Sequence, residues 1–409
     1  MKRAWGRPTK GDVNSPASSI RQNKNKLYTC EMNGLKKLAK IIFSILLILS
    51  SSETVSSKSG IPSYLKNHQK EYREDPRKAN LEWFKSAKYG LFIHYGLYSL
   101  LEKDAWVQLR DTIPVVEYTK LKDRFIAEKF NAEMITDLAI KGGMKYITIT
   151  SKHHDGFALF NSKATDFSVM QSAAKRDLIK ELYDACEKKG LALFIYYSYG
   201  ADWHHPYFYP RERGWTNARP AYKTPQPDYK FKEDKDFRKY IDFVHSQLTE
   251  ILTKYPKVAG IWFDPIIGFY SAPDLFPVAS TYALIRKLSP HALISFKQGA
   301  NGEEDYMAPE RDGNAKAGDQ YEVARIAYEK NKDKPREICN TLQPHAWAYQ
   351  KSDDGKHRNA DDIMKMLSAA QKLNANLLLN VGPRGDGSIP EEDIISITEV
   401  GRRLNKINK

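Results

Sequence analysis

The 409-residue sequence is poor in cysteine. Its three cysteines, Cys30, Cys186 and Cys339, form no C-x-x-C pair. That excludes a disulfide framework and a cysteine-built zinc site. The sequence also lacks an apolar run of the about 20 residues needed to span a bilayer. It has no GxGxxG turn after its first strand-like run and no Walker loop, which argues against a nucleotide-binding doubly wound sheet. No internal repeat or long low-complexity segment interrupts it. Acidic residues are in deficit: 50 Asp and Glu stand against 64 Lys and Arg, a net charge of +14. Much of this surplus is local. Residues 1–31 carry seven Lys or Arg against Asp12 and Glu31, and residues 32–58 carry four against Glu53. The rest is spread over many helical stretches as a solvated surface, so no nucleic-acid partner is expected.

What the N-terminal region does contain is a short apolar run, Ile41 to Leu49 (IIFSILLIL). Lys36, Lys37 and Lys40 precede it, and Ser50 to Ser52 follow it. A basic stretch, a short apolar stretch and a small-residue exit form the layout of a secretory signal peptide. We expect translation to start at Met32, a signal over about residues 32–57, and an exported protein. An uncleaved anchor is the alternative, and no stable membrane span is expected. The expected organisation is an N-terminal extension with the signal-like segment over 1–58, then one catalytic unit over 59–409. Residues 59–80 read as a polar lead-in to it.

Beyond the lead-in, apolar strand-like runs recur at 89–96, 145–156, 191–200, 258–265, 292–299 and 374–383. Amphipathic helical stretches lie between several of them: Ala132 to Lys141, Asp177 to Lys189, Phe237 to Lys254 and Ala360 to Leu373. Gly190 closes the second of these. Alternating strands and helices predict βαβ units and a parallel sheet. Nearly continuous apolar strands predict a sheet covered on both faces. Polar groups gather where the strands end: His94, then His153, His154 and Asp155, then Asp202, Trp203, His204 and His205, then Asp264, then Lys297. That is where a (β/α)8 barrel keeps its active site. The expected fold is therefore α/β, a (β/α)8 TIM-like barrel. The segment from Pro206 to Lys235 reads as a long loop over its mouth.

Asp264 directly follows the apolar run Ile261-Trp262-Phe263. An unpaired buried charge is costly, so this carboxylate is either satisfied structurally or functional. The histidine pair allows three readings: metal ligands, core histidines, or partners for a polyhydroxylated ligand. Adjacent strand residues point to opposite sides, which disfavours joint ligation of one metal. Trp106, Tyr197, Trp203, Trp262 and Trp347 supply aromatic faces, and such faces with polar groups suit a sugar. No metal and no cofactor is expected.

Five segments carry a family resemblance: FIHYGLYS (92–99), TSKHHDGFALF (150–160), YYS with DWHHP (196–206), IWFD (261–264) and NLLLNVGPRGDGSIP (376–390). In this order they resemble glycoside hydrolase family 29, which contains the retaining α-L-fucosidases. The match runs from about Trp83 to Arg403. The resemblance implies that Asp264 is the nucleophile, that His94 binds fucose, and that His153 and His154 contact sugar hydroxyls. It places Tyr197 and Trp262 around the sugar pocket, and Phe92 and Trp347 against the C6 methyl group; Trp106, one of the aromatic faces noted above, is also assigned to the substrate. Lys297 stands where the family often has Arg, and is assigned to the substrate. Glu310, in the run Asp305-Tyr306-Met307-Ala308-Pro309-Glu310, matches the acid/base, with Glu337 as second candidate.

The implied substrate is a fucosylated oligosaccharide or glycoconjugate, cleaved through a glycosyl-enzyme on Asp264. A non-catalytic fucose-binding barrel, a metallohydrolase, and a hydrolase for a related 6-deoxy or galactose-configured sugar are the alternatives. The sequence departs from the family at Tyr95, where Trp is usual, at Pro265, and at Lys297. The C-terminal β-sandwich that is common in the family is not expected.

Overall fold

The computed structural model describes residues 60–311 and 318–407. The signal-like segment and the proposed start at Met32 lie outside these residues. Seven parallel strands form one sheet: β1 (Tyr89–Ile93), β2 (Tyr146–Lys152), β3 (Ala192–Ser198), β4 (Gly260–Asp264), β5 (Leu293–Ser295), β6 (Glu337–Thr341) and β7 (Asn376–Val381). Their spatial order is β5-β4-β3-β2-β1-β7-β6. The sheet curls so that β5 and β6 approach each other, and the segment 305–311 fills the gap. Its Asp305 and Ala308 N–H groups donate to the Ile294 and Lys297 carbonyls. On its other side, Met307 N–H donates to Pro335, and Glu337 and Cys339 N–H groups donate to Met307 and Pro309. This irregular stave completes a TIM-like (β/α)8 barrel.

The helices form where their ends are chemically marked. Helix α1 (Pro76–Ala87) starts with proline in its first turn, and the Asp75 side chain accepts from Lys78 N–H. Asn131 caps α2 (Ala132–Lys141), and Asp177 caps α3 (Leu178–Lys189), which Gly190 ends in the left-handed region. Helix α4 (Phe237–Lys254) and α5 (Val278–Leu288) follow. Helix α6 (Glu322–Asn331) precedes β6. Asn359 and Asp362 form a capping box at α7 (Ala360–Lys372), and α8 (Glu391–Ile407) comes last.

The core has two compartments, set by the strand period of two. Leu91, Ile93, Ile147, Ile149, Leu193, Ile195, Tyr197, Ile261, Phe263 and Leu379 face outward and pack under the helices. Phe92, Tyr146, Phe194, Tyr196, Trp262, Leu293 and Leu378 fill the barrel interior. Gly90 lies inside for a steric reason, because a Cβ there would sit 2.4 Å from the Tyr146 ring. The polar lead-in expected before the barrel holds more structure than anticipated. Its continuation, α1, inserts Phe84 between Tyr146, Phe194 and Tyr306. Asn80 donates to the carbonyls of Ala259 and His291, and Asn376 donates to that of Phe84, so α1 stoppers one end of the barrel.

Candidate active site

At the C-terminal strand ends lies a pocket of about 260 Å³. Strand β1 brings Phe92 and His94 to it, β2 leads into His153 and His154, and β4 supplies Trp262 and Asp264. Lys297 follows β5, Glu310 comes from the irregular stave, and Trp106 and Trp347 close the sides. Apart from the second acid/base candidate, Glu337, the expected catalytic and sugar-binding residues therefore meet, with one exception.

That exception is Tyr197. It belongs to the outer compartment, and its hydroxyl donates to Gln247 Oε1 on α4 at 2.7 Å. The pocket residue is Tyr196, whose hydroxyl donates to Asp264 Oδ2 at 2.9 Å. The strand register decides this: Tyr196 pairs with Trp262, so both face inward, and the sequence alone carries no signal for it. Cys339 and Pro265 also line the pocket and were not anticipated. The loop 206–235 supplies no lining residue. It instead packs on the segment around Trp203, through Arg219 and the Tyr229 hydroxyl, which donates to the Trp203 carbonyl.

The histidine pair also departs from expectation. Strand β2 ends at Lys152, so His153 and His154 lie beyond the alternating region. Both enter the pocket, with ring centroids 3.9 Å apart. Among the described residues, the carboxylate and imidazole atoms close enough together for one ion belong to Asp354, His357 and Glu392 instead.

Hydrogen bonds fix how His94 and His154 present themselves, while His153 Nδ1 has no hydrogen-bond partner. Asn380 Nδ2 donates to the Trp347 carbonyl at 2.6 Å, which leaves its Oδ1 to accept from His94 Nδ1–H at 2.6 Å. Ser198 Oγ donates to the Ala201 carbonyl and accepts from His154 Nδ1–H, both at 2.7 Å. His154 Nε2 is thus an acceptor. It has no hydrogen-bond partner and lies 3.7 Å from Asp264 Oδ2, another acceptor. A donor belongs between them. Burial lowers the His94 pKa to about 4. Burial, with neighbouring positive groups, holds His153 and His154 well below the usual histidine range. All three rings are neutral near pH 7, which suits bonding to hydroxyl groups.

A buried ion pair braces this wall. Lys152 Nζ contacts Asp202 Oδ2 at 2.7 Å, with both side chains essentially unexposed. Asp202 Oδ1 accepts the N–H groups of His204 and His205. Trp203 N–H donates to the His154 carbonyl, and the Trp203 ring meets Trp106 and His154 edge-on.

The carboxylates differ in environment. Burial raises the Asp264 pKa, while Lys297 Nζ, 3.4 Å from Oδ1, pulls it down. Lys297 also contacts Glu310 Oε1 and holds the Glu310 pKa below its ordinary value. Glu337, the second candidate, lies beneath the pocket floor. Its two oxygens accept from Tyr146 Oη at 2.6 Å and Trp262 Nε1 at 3.0 Å. Burial raises its pKa to about 7.

Two carboxylates, neutral histidines and aromatic walls at the mouth of a parallel barrel have the form of a glycoside hydrolase site. The family follows from comparison. The α-L-fucosidase family model matches residues 58–409, and the chain belongs to that family. Rat plasma α-L-fucosidase is 27% identical over 75% of this chain and 65% of its own length. The human plasma enzyme is 27% identical over 75% of this chain and 64% of its length. The chain thus spans less than two thirds of these curated relatives. The structure of α-L-fucosidase isoenzyme 1 from Paenibacillus thiaminolyticus is 31% identical with a TM-score of 0.65, covering 81% of this chain and 76% of that one. An α-L-fucosidase from Lactobacillus casei, in complex with its α-L-fucose product, is 29% identical with a TM-score of 0.66, covering 81% and 99%.

Proposed function

We propose that this chain is a retaining exo-α-L-fucosidase, acting on terminal fucose of glycans or glycoconjugates. The observation that carries this reading is the pair Asp264 and Glu310, each with an oxygen against the same Lys297 ammonium. Two oxygens that touch one nitrogen lie closer than the about 6.5–9.5 Å spacing of an inverting pair. Family membership supports fucose as the sugar, as does the product held by the Lactobacillus relative. A cavity of about 260 Å³ is at the small end for ligand sites, which favours a single terminal residue over an internal stretch of chain.

Asp264 attacks C1, and the bond to the leaving oxygen breaks as Glu310 protonates it. Glu310 then takes a proton from water, which attacks C1 and releases Asp264. A sugar hydroxyl donates to His154 Nε2, the acceptor left without a partner. His94 and His153 bind further hydroxyls. Phe92 and Trp347 face the methyl group, while Tyr196 and Trp262 bound the ring beside the nucleophile. Trp106 closes the side next to His154.

The same reading includes export. The basic, apolar and small-residue order around residues 32–57 supports a signal, with 59–409 as the catalytic unit. Among the described residues, no helix is long and apolar enough to cross a membrane.

The test is hydrolysis of an aryl α-L-fucoside. Asp264→Ala should lose turnover. Glu310→Ala should slow, and azide should restore its rate, giving fucosyl azide of retained configuration, because azide replaces water on the glycosyl-enzyme. Fucose binding without turnover by the unmodified protein would overturn the enzymatic reading in favour of a binding barrel.

A further inference from the structure

A fucosyl unit is neutral, so it has no need of a full positive charge. Yet the pocket keeps a nearly buried lysine. Lys297 sits at φ 52°, in the left-handed region that non-glycine residues seldom adopt. Its carbonyl accepts from Ala308 N–H, which ties it to the stave bearing Glu310. Its ammonium lies 3.4 Å from Asp264 Oδ1, contacts Glu310 Oε1, and stands 4.5 Å from the Trp262 ring centroid. Backbone and side chain alike direct Lys297 at the two carboxylates.

On the reading that Asp264 and Glu310 are the reacting pair, we propose that Lys297 is a catalytic counter-ion that serves them in turn and so times the change of Glu310 from acid to base. The charge count supports this. The reacting form before attack has an ionised Asp264, a protonated Glu310 and Lys297⁺; it is a minor form of the resting site, where Lys297 holds the Glu310 pKa below its ordinary value. Attack forms the Asp264–C1 bond and breaks the C1–oxygen bond, whose electron pair takes the Glu310 proton. The site then holds a neutral ester, an ionised Glu310 and Lys297⁺. One cation faces one carboxylate in each state. Once Asp264 is esterified, Lys297 acts on Glu310 alone and favours the ionised form that must deprotonate water. Attack of that water on C1 breaks the ester and returns the electron pair to Asp264.

The other groups facing the pair do not supply this charge. Burial keeps His94, His153 and His154 neutral. Burial likewise keeps the Tyr196 hydroxyl and the Cys339 thiol protonated. Arg311 adds a smaller pull on Glu310. Burial works against the Lys297 charge, but Asp264 and Glu310 outweigh it and hold the ammonium protonated.

The test is the pH dependence of kcat/KM in Lys297→Gln and Lys297→Arg enzymes. Loss of the charge should move both limbs to higher pH, by about one unit or more, and lower kcat. Lys297→Arg should keep both limbs in place. Unmoved limbs with only a raised KM in Lys297→Gln would make Lys297 a sugar-binding residue and overturn the proposal. A ¹³C-carboxyl titration of the resting protein separates this from the fucosidase reading. If no fucoside is cleaved, that reading fails, yet Asp264 and Glu310 must still titrate higher in Lys297→Gln. Should Lys297→Gln not fold, the ¹⁵N resonance of the Lys297 ammonium decides. It should move in both Asp264→Asn and Glu310→Gln, and a resonance unmoved in either would refute the shared role.

Discussion

Replacing Glu337 by glutamine separates a buried structural acid from a reacting one. In the fold its pKa is about 7, against an ordinary value of 4.5. The folded state therefore binds more protons than the unfolded chain between those values, and stability falls as pH rises through that window. The whole penalty is present above about pH 7. A gap of this size corresponds to about 3 kcal/mol. The substituted amide cannot ionise and escapes this penalty. Its carbonyl can keep the Trp262 N–H, and its NH₂ group can donate to the Tyr146 oxygen. The Tyr146 proton loses its acceptor, a pH-independent offset of about 1 kcal/mol. Urea unfolding from pH 4.5 to 8 should show the variant gaining about 3 kcal/mol on the parent chain as pH rises. A difference that varies by less than about 1 kcal/mol across this range would refute the burial argument, because a pH-independent offset gives no slope. The same variant should keep its turnover of an aryl fucoside to within about tenfold. A loss of about 10²–10⁴-fold, the size of a general-acid effect, reversed by azide, would move the acid/base from Glu310 to Glu337.

Two further substitutions test the supports of the site. Lys152→Met leaves Asp202 buried without its cation and should cost about 3–5 kcal/mol in urea unfolding; a loss under about 1 kcal/mol would show that the pair does not brace the wall. Gly268→Ala would place a Cβ 1.8 Å from the Gly200 carbonyl oxygen, just beyond Asp264, and should lower stability by about 3 kcal/mol; an unchanged melting temperature would mean that the backbone there yields freely.

The sequence reveals the site more fully than the barrel around it, and the reason lies in which positions leave a mark. Strand ends stand out because a charged or imidazole side chain after an apolar run must have a partner or a use. That logic finds His94, Asp264 and Lys297 without any knowledge of pairing. Strand interiors leave no such mark. In Ala192–Ser198 both faces are buried, so the hydrophobic pattern cannot tell Tyr196 from Tyr197, and only the register with β4 does. Alternation misleads at His153 and His154 for the opposite reason: the strand has already ended there. Strand β6 escapes because Glu-Ile-Cys-Asn-Thr is short and half polar, and its buried glutamate is satisfied by Tyr146 and Trp262, which are distant in sequence. The eighth stave escapes because it pairs through scattered bonds around Pro309 and never forms a regular ladder. On the roles proposed for the two carboxylates, that irregularity suits Glu310. Its N-terminal part is held between β5 and β6, while the Glu310 side chain, 43% exposed, remains at the pocket rim. A general acid that must meet the leaving group, and later a water, needs such a place. A nucleophile needs the opposite, and the Asp264 side chain, 14% exposed, is held by Tyr196 on one oxygen and Lys297 on the other.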